Sequence, residues 1–356
     1  MSFTLLHTAD FHLGRSFSQL PPERAGQRRA DLLATLARIC RTACELHVDL
    51  LCISGDLFDH SSPSAALLAS ARYALADAAV PVALVPGNHD PLGPNSPYLR
   101  EQWPSNVMVA AHSGWQRMPV ESREVWAFGY ATGEAHHSPW ATFPGCGDDA
   151  VLLLHAACLS PGLADGAGYY AFSPTAIPPC AYLALGHHHR QAQVGLAAWY
   201  CGAPEPLEPE VTPSSTLLVT LEKGTATVKP LPLATRHHSL ATLDVTGLRA
   251  GDIWDRALGY ATVDDLLTLR LTGMLDVAEA IDLTALRGEL SARCFAVDVD
   301  ASAVQLPVAL TEAEGVMGAL HAQARQRLAD LPADDPQRTR IERAVRYAAM
   351  ALEGTL

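Results

Sequence analysis

Short apolar runs alternate with longer amphipathic stretches over the first 230 residues of the chain. Runs of four or five apolar residues that end at Gly, Ser or Pro are typical of buried strands. Apolar residues at helical spacing, such as Leu32, Leu36 and Ile39, predict a helix that packs on a sheet. The alternation predicts an α/β fold, a mixed sheet sandwich with flanking helices.

Local signals predict the other elements of this part. A second helix is expected from Ser62-Pro63 to about Ala79, with the proline in its first turn, where a missing N–H costs little. Beyond Asp90 the pattern changes to short strands joined by loops rich in Pro, Gly and Trp. The predicted elements there are strands at Val107–Ala110 and Val125–Tyr130, loops at 131–149 and 156–179, and a hairpin of Leu217–Leu221 with Ala226–Pro230.

The stretch Pro230-Leu231-Pro232 marks a domain boundary. After it, strand and helix signals alternate over residues 239–300, and two helices broken at 331–336 follow from Thr311. The predicted strands are Leu240–Val245, Leu266–Leu271 and Phe295–Val299, and the predicted helices are Ile253–Tyr260 and Leu283–Ala292. We therefore expect a main domain at 1–234, a small α/β domain at 235–305 and a helical segment at 306–356.

The composition is typical of a soluble globular protein. The chain has 356 residues and a mean hydropathy of +0.09, which allows one large and one smaller domain. No apolar run approaches the ~18 residues of a membrane span, and a strand begins almost at residue 1, which leaves no room for a signal peptide. We therefore expect a cytoplasmic protein without membrane contact, whose eight cysteines are free thiols.

The net charge of −13 argues against a broad electrostatic grip on nucleic acid. Arginine supplies 23 of the 25 basic residues, and its planar fork suits phosphate groups. A nuclease stays compatible with the acidic balance if divalent ions supply the positive charge at its site.

Side chains that can bind metal ions follow five apolar runs that we interpret as strands. These runs are Thr4–Leu6, Leu50–Ile53, Val82–Val85, Val151–Leu154 and Tyr182–Leu185. The apolar run Leu50–Ile53 ends at Ser54-Gly55 and presents Asp56; such an aspartate on its own usually caps the next helix. The residues at the five strand ends are Asp10 and His12; Asp56 and Asp59; Asn88, His89 and Asp90; His155; and His187, His188 and His189. Because open α/β sheets keep their sites at the carboxyl ends of strands, we expect one site centred on Asp56.

In chain order the motifs are Asp-x-His, Gly-Asp-x-x-Asp, Gly-Asn-His-Asp, a single His and Gly-His-x-His. This ordered set resembles the signature of the calcineurin-like metallophosphoesterases. The resemblance implies two divalent ions that share Asp56. The implied ligands are Asp10, His12, Asp56 and His189 for one ion, and Asp56, Asn88, His155 and His187 for the other. The mixed nitrogen and oxygen set suits manganese, iron or zinc better than magnesium.

The same resemblance implies a mechanism. A hydroxide that bridges two ions about 3.5–4 Å apart would attack phosphorus in line. His89 follows a metal-binding asparagine and resembles the family's general acid, which protonates the leaving oxygen. Asp59, three residues after Asp56, is expected to orient the His89 imidazole.

The remaining polar residues near the motifs have weaker signals. Arg15 and His60 are candidate substrate contacts, although solvated surface positions fit their sequence context as well. We interpret His7 as a core or surface residue, and strand alternation should turn His188 away from the metals. The pairs His136-His137 and His237-His238 lie in polar loop or linker contexts and receive no role.

Three segments narrow the resemblance to the SbcD-type DNA repair exonucleases, and within them it is nearest to the YhaO branch. These segments are Leu6–Gly14, Leu183–Arg190 and Tyr200–Leu207. The resemblance implies Mn²⁺-dependent 3′-to-5′ exonuclease and single-strand endonuclease activity on DNA, a capping domain at 235–305 and an SbcC-like coiled-coil ATPase partner. The apolar stripes of the tail either bind that partner, as in the family, or fold back on the chain's own domains. A homodimer also stays open. Two alternatives stay open: a phosphatase or small-molecule or cyclic-nucleotide phosphodiesterase on the same core, and a catalytically idle regulatory protein.

Overall fold

The computed structural model describes residues 2–131, 137–160, 163, 169–208, 215–222, 224–275, 281–305 and 315–332, and part of 335–348. The chain divides into two compact units. The first consists of Met1–His238 with Asp264–Leu266, and the second of Ser239–Val263 with Leu267–Leu356. Among the described residues, helices that are both long and apolar enough to span a bilayer are absent.

Six strands of the first unit form one mixed sheet. They are β1 (Phe3–Thr8), β2 (Leu50–Ser54), β3 (Val82–Val85), β4 (Val107–Val109), β13 (Thr216–Glu222) and β14 (Thr225–Leu231). Their order is β14-β13-β1-β2-β3-β4. The strands β1 to β4 are parallel, and the hairpin of β13 and β14 adds antiparallel to β1. The central strands β2 and β3 are apolar except for Ser54, as is typical where both faces of a sheet are buried.

A second mixed sheet consists of β5 (Gly114–Met118), β6 (Val125–Gly129), β7 (Val151–His155), β10 (Tyr182–Gly186), β11 (Ala192–Gln193) and β12 (Ala198–Tyr200). Their order is β11-β12-β10-β7-β6-β5, with the four inner strands parallel. The predicted loops contain a small sheet of β8 (Ala157–Cys158) with β9 (Ala171–Phe172), and 3₁₀ helices at Pro139–Thr142 and Pro174–Ala176. Residues 132–136, 161–162 and 164–168 of these loops lie outside the described part.

The two sheets face each other across one apolar core, as in a sandwich. Alternate residues of β1 and β2, such as Leu5 and Leu50, meet residues of β7 and β10, such as Leu153 and Ala184. All four are fully buried. Parallel strands of both sheets therefore present their carboxyl ends close together, and the predicted motifs occupy those ends.

The outer faces of the two sheets are covered differently. Helices α1 (Pro22–Glu45) and α2 (Ala65–Ala76) pack on the first sheet through residues such as Leu36 and Leu75. The outer face of the second sheet is covered by rings from connecting segments, among them Phe143, Tyr170 and Phe172. The predicted mixed sheet sandwich is confirmed. The prediction of flanking helices describes the first sheet, whereas aromatic residues of connecting segments cover the outer face of the second sheet.

Helix α2 begins later than predicted. Its first residue is Ala65, and the side chain of Ser64 accepts a hydrogen bond from Leu67 N as the N-cap. Pro63 therefore precedes the cap, and the prediction that it lies in the first turn is wrong. The helix also ends at Ala76, three residues before the predicted end. One further turn of helix, α3, spans Pro97–Arg100.

The second unit contains the predicted strand and helix alternation. Strands β15 (His237–Asp244), β16 (Asp265–Met274) and β17 (Ala296–Gln305) form one sheet, accompanied by helices α4 (Ala250–Leu258), α5 (Leu283–Arg293) and α6 (Gly315–Ala329). His237 and His238 lie in β15, so their placement in a loop or linker is wrong. Of the second terminal helix, described positions between Gln337 and Ala348 are helical, and the rest lies outside the described residues.

A buried ion pair joins α1 to the segment after β12. Arg28 Nη1 lies 2.8 Å from Glu205 Oε2, and the side chains are 1% and 0% exposed. The second guanidinium nitrogen of Arg28 donates to the carbonyl of Pro206 at 2.9 Å. Glu205 also accepts from the hydroxyl of Thr35 and the backbone N–H of Thr235. The pair and its partners thus form one buried polar network between α1 and this segment.

We expect Glu205→Gln to lower the free energy of unfolding by about 3 kcal/mol, because the buried Arg28 charge loses its nearest carboxylate and keeps only Asp31, at 3.5 Å. Urea denaturation measures the loss. Glu101→Gln is the matched control, since its exposed pair with Arg72 is worth at most about 1 kcal/mol. Equal losses for the two variants would show that the buried pair contributes no special stability.

Candidate metal centre

The loops after β1 and β2 run side by side in an unusual backbone conformation. Asp10, His12 and Asp56 have φ values of 54°, 48° and 49°, in the left-handed region. Asp10 N donates to Gly55 O and His12 N donates to Asp56 O, each at 3.0 Å. Such conformations cost about 1–3 kcal/mol per residue and persist only where neighbouring contacts impose them. The backbone is therefore bent to turn these side chains toward one point.

Asp56 occupies the middle of the site. Its Oδ2 lies 3.5 Å from Nε2 of His12 and 3.5 Å from Nε2 of His155, and its side chain is 2% exposed. Its Oδ1 accepts from the backbone N–H of His89 at 2.9 Å. A Cβ at Gly87 would lie 2.1 Å from this Oδ1, so only glycine allows the loop after β3 to approach so closely. One carboxylate thus lies between two histidines.

On one side of Asp56 lie Asp10, His12 and His189, whose ligand atoms are within 4.8 Å of one another. The Asp10 carboxylate accepts from the backbone N–H of His187 at 3.0 and 3.2 Å. The pKa of Asp10 is raised, because the effect of burial is larger than the opposing effect of the neighbouring histidines. A buried carboxylate of this kind needs a positive charge close by to stay ionised.

The rings of His12 and His189 meet through their Nε2 atoms, which lie 3.1 Å apart. Their Nδ1 atoms face carboxylates, Asp59 Oδ1 at 3.1 Å and Glu208 Oε1 at 3.4 Å. A neutral imidazole that donates from Nδ1 keeps a lone pair on Nε2. When both rings are neutral in this tautomer, the two lone pairs face each other, and a cation between them stabilises the arrangement.

On the other side of Asp56 lie His155, Asn88 and His187. His155 Nδ1 faces the carbonyl of Ser54 at 2.9 Å, so its Nε2 carries the lone pair that points at Asn88 Oδ1, 2.9 Å away. Nδ1 of His187 lies 3.0 Å from the same amide oxygen. Burial, and then the neighbouring His155, lower the pKa of His187 to about 2, so this ring is neutral.

The residues present fit two divalent ions. Each side of Asp56 gathers imidazole nitrogens together with carboxylate or amide oxygens. Mixed nitrogen and oxygen sets of this type suit transition metals such as manganese, iron and zinc. The structure brings together the seven predicted ligand residues, Asp10, His12, Asp56, Asn88, His155, His187 and His189. Their role as ligands belongs to the proposal below.

His89 and Asp59 are placed differently from the sequence expectation. His89 is exposed, and its Nδ1 lies 3.1 Å from the backbone carbonyl of Asp59. The Asp59 carboxylate contacts His12 instead, which accounts for the lowered pKa of Asp59 despite its partial burial. The His89 ring lies edge-on to His12, with centroids 4.5 Å apart. The backbone of Asp59 therefore orients His89, while its carboxylate orients His12.

Two carboxylates near the site received no role from the sequence. Asp90 is fully buried and accepts from Phe58 N, Gly87 N and the hydroxyl of Tyr98. Burial, and then the charge of Asp56, raise its pKa to about 6. It ties the loop after β2 to the loop after β3, and its place in Gly-Asn-His-Asp was the one signal for it. Glu208 follows a Pro-Leu pair and gave no signal.

The remaining candidates lie around the site. Arg15 is 26% exposed, and its Nη2 is 3.7 Å from Glu208 Oε1. His60 is exposed and accepts from Ser62 N at 3.2 Å. His7 is a core residue with Nδ1 3.0 Å from the hydroxyl of Tyr182, and His188 packs edge-on against Tyr200. His137 is exposed, and its neighbour at 136 lies outside the described residues.

Residues 3–153 match the family model described as calcineurin-like phosphoesterase. The chain carries a calcineurin-like metallophosphoesterase domain. This confirms the resemblance inferred from the motifs. The matched region ends two residues before His155, so the placement of the last two motifs in the metallophosphoesterase site rests on the geometry above.

Curated relatives match parts of the chain. It is 31% identical over 112 residues to the uncharacterized metallophosphoesterase YhaO of Bacillus subtilis, covering 30% of this chain and 27% of the relative. It is 35% identical over 89 residues to the DNA double-strand break repair protein Mre11 of Saccharolobus solfataricus, covering 24% and 22%. It is 26% identical over 265 residues to the D subunit of nuclease SbcCD of Rhodobacter capsulatus, covering 57% and 62%. Each match spans less than two thirds of the relative's length.

We expect Asp56→Ala to lose at least one bound ion per chain and nearly all phosphoesterase activity, because the other ligand candidates lie to one side or the other of this carboxylate. Elemental analysis of the purified variant gives the ion count. Asp77→Ala, which removes an exposed carboxylate at the end of α2, should keep the metal content of the natural protein. Two ions retained by the Asp56 variant would refute the shared-ligand assignment.

Proposed function

We propose that this protein is a dimetal-dependent DNA phosphodiesterase that acts as a 3′-to-5′ exonuclease and single-strand endonuclease in DNA repair. The observation that carries the dimetal assignment is the position of Asp56, with Oδ2 3.5 Å from Nε2 of both His12 and His155. Two bare cations at short distance repel each other, and a negative ligand that binds both reduces this repulsion. A carboxylate between two groups of acceptors is suited to be that shared ligand.

The proposed cofactors are two divalent ions, with Mn²⁺ as the physiological metal. When bound, they would polarise the phosphoryl oxygens, lower the pKa of an attacking water and stabilise the charge that develops in the transition state. Asp10, His12, Asp56 and His189 would hold one ion. Asn88, His155 and His187 would hold the other together with Asp56.

The proposed acid is His89, which is exposed at the edge of the site. Its Nδ1 donates to the carbonyl of Asp59 at 3.1 Å, which fixes the ring and leaves Nε2 to face a bound substrate. Protonated at Nε2, the ring would donate to the leaving oxygen while the Nδ1 hydrogen bond is kept. Asp59 contributes to this step through its backbone, because its carboxylate is engaged by His12.

Two observations support a DNA substrate. Two of the relatives carry the names of a DNA repair protein, Mre11, and of a nuclease, SbcCD. The ring of Tyr169 lies 4.5 Å from that of His187, and a partly exposed aromatic face beside a phosphate site is the kind of surface on which bases stack. Arg15 and His60 are the proposed contacts to the substrate backbone.

The name of the SbcCD relative, which is one component of a nuclease, also supports a partner of the SbcC-like coiled-coil ATPase type for this chain. A homodimer is a further proposed assembly, and the proposed location is cytoplasmic.

The tail at 306–356 is the segment that we propose binds the ATPase. In the described part of that tail, α6 buries Ala324 and Leu328 and leaves Val316 73% exposed.

The experiment that tests the function offers the Mn²⁺-loaded protein labelled single- and double-stranded DNA beside a chromogenic bis-phosphodiester. We expect DNA to be shortened from its 3′ end, to stop with chelator and to resume with added Mn²⁺. Asp56→Ala serves as the control for contaminating nuclease. If the small diester is hydrolysed and the DNA is not cut, the result favours the alternative, a small-molecule or cyclic-nucleotide phosphodiesterase. The net charge of −13 fits that alternative as well.

We expect His89→Asn to keep both ions and to lower the rate on DNA at least ~10²-fold, the low end of general-acid contributions. A nitrophenyl ester should be affected much less, because its leaving group needs no proton. Elemental analysis with rates on both substrates checks this. Loss of an ion would identify His89 as a ligand, in line with its place beside His12 and Asp56. Equal rate losses on both substrates would exclude the acid role.

A further inference from the structure

A carboxylate outside the motifs, Glu208, contacts the ligand candidate His189. Glu208 Oε1 lies 3.4 Å from His189 Nδ1. A neutral imidazole carries a single proton, so a ring that donates from Nδ1 keeps its lone pair on Nε2. That Nε2 lies among the ligand atoms of Asp10 and His12. Glu208 thus favours the tautomer in which His189 offers a lone pair to a metal ion.

His12 shows the same arrangement on the facing ring. Its Nδ1 is 3.1 Å from Asp59 Oδ1, and its Nε2 is 3.1 Å from Nε2 of His189. Each of the two rings is therefore held by a carboxylate on the side away from the proposed ion. Metal-binding histidines commonly donate their other N–H to a carboxylate in this way, which fixes the ring and raises its basicity.

The segment that carries Glu208 is attached to His189 at its other end as well. Ala203 N donates to the backbone carbonyl of His189 at 2.9 Å. Gly202 before it has a φ of 80°, and a Cβ there would lie 2.8 Å from the same carbonyl. Residues 203–208 thus form a loop that starts at the backbone of His189 and returns to its ring.

The middle of this loop is held by α1. Arg28 binds two consecutive loop residues, the carboxylate of Glu205 at 2.8 Å and the carbonyl of Pro206 at 2.9 Å. The guanidinium and the Glu205 carboxylate are almost completely buried. Pro206 also restricts the backbone before Leu207, which is buried in the core. Glu208, one residue further, is consequently presented by a fixed segment.

We propose that Glu208 is the positioning residue that orients His189 toward its metal ion, and that the Arg28–Glu205 pair fixes the loop that presents it. The inference rests on the proposed function only in that the site binds two divalent ions. Glu208 would touch neither substrate nor metal; it acts through the imidazole of His189.

Titration of the metal-free protein with Mn²⁺, followed by the electron paramagnetic resonance signal of the free ion, tests this. We expect Glu208→Ala to weaken one of the two binding steps by about 10- to 100-fold and to leave the other within about twofold. Glu208→Gln should recover part of the loss, because an amide oxygen also accepts from Nδ1. The thermal unfolding midpoint of each variant without metal should stay unchanged.

A control variant separates this role from general effects. Glu101→Ala removes a surface carboxylate that forms an ion pair with Arg72, and it should keep both Mn²⁺ affinities. Unchanged affinities in Glu208→Ala, or equal losses at both steps with a lower unfolding midpoint, would overturn the inference. A natural protein that binds no Mn²⁺ would overturn the proposed function too, whereas two ions in the natural protein with an unaffected variant would overturn this inference alone.

Discussion

The structure depends on an excess of hydrogen-bond acceptors gathered in a buried place. Asp10 and Asp56 are nearly inaccessible to solvent, and the Nε2 atoms of His12 and His189 lie 3.1 Å apart. Desolvation of such groups is costly unless a positive charge compensates for it. Around them, the backbone N–H groups of His187 and His89 donate to the two carboxylates. The site therefore has the composition of a cation receptor, and bound ions would relieve the repulsion that the fold imposes.

The fold crowds these acceptors together because it brings the carboxyl ends of parallel strands from two sheets to one edge. The loops after β1 and β2 take up left-handed backbone conformations and hydrogen-bond to each other. Gly87 lets the loop after β3 touch Asp56, and Asp90 ties that loop to the one after β2. Stability supplied by the apolar core between the sheets offsets the local strain. Rigid strand ends then hold the ligand candidates in place before any ion or substrate arrives.

The local pattern of apolar and polar residues was sufficient to predict many of the strands and the gathering of the motif residues at one site. The apolar run at Leu50–Ser54 is buried along its whole length, and a strand of this kind is recognised by composition and flanking residues alone. The convergence of the motif residues followed from their common position after strands. The start of α2 was missed because Ser64 competes with Ser62 as a cap, and sequence alone does not decide between neighbouring serines.

Contacts across long sequence separations could not be predicted in this way. Asp59 was predicted to orient His89 because it follows Asp56 by three residues, but its carboxylate contacts His12, 47 residues away in the sequence. The direction of that side chain is set by the bend of the loop after β2, which no periodicity records. Glu208 contacts His189 from a loop whose earlier residues are bound by Arg28, and no local pattern in the sequence indicates either contact. The aromatic cover of the second sheet comes from segments whose sequence is typical of irregular loops.

The central claim is that Asp56 is shared by two metal ions. Crystals grown with Mn²⁺ and measured at the manganese absorption edge test it directly. The account predicts two anomalous peaks about 3.5–4 Å apart, both next to the Asp56 carboxylate, one beside His12 and His189 and the other beside Asn88, His155 and His187. A single peak, or peaks that do not touch Asp56, would contradict it.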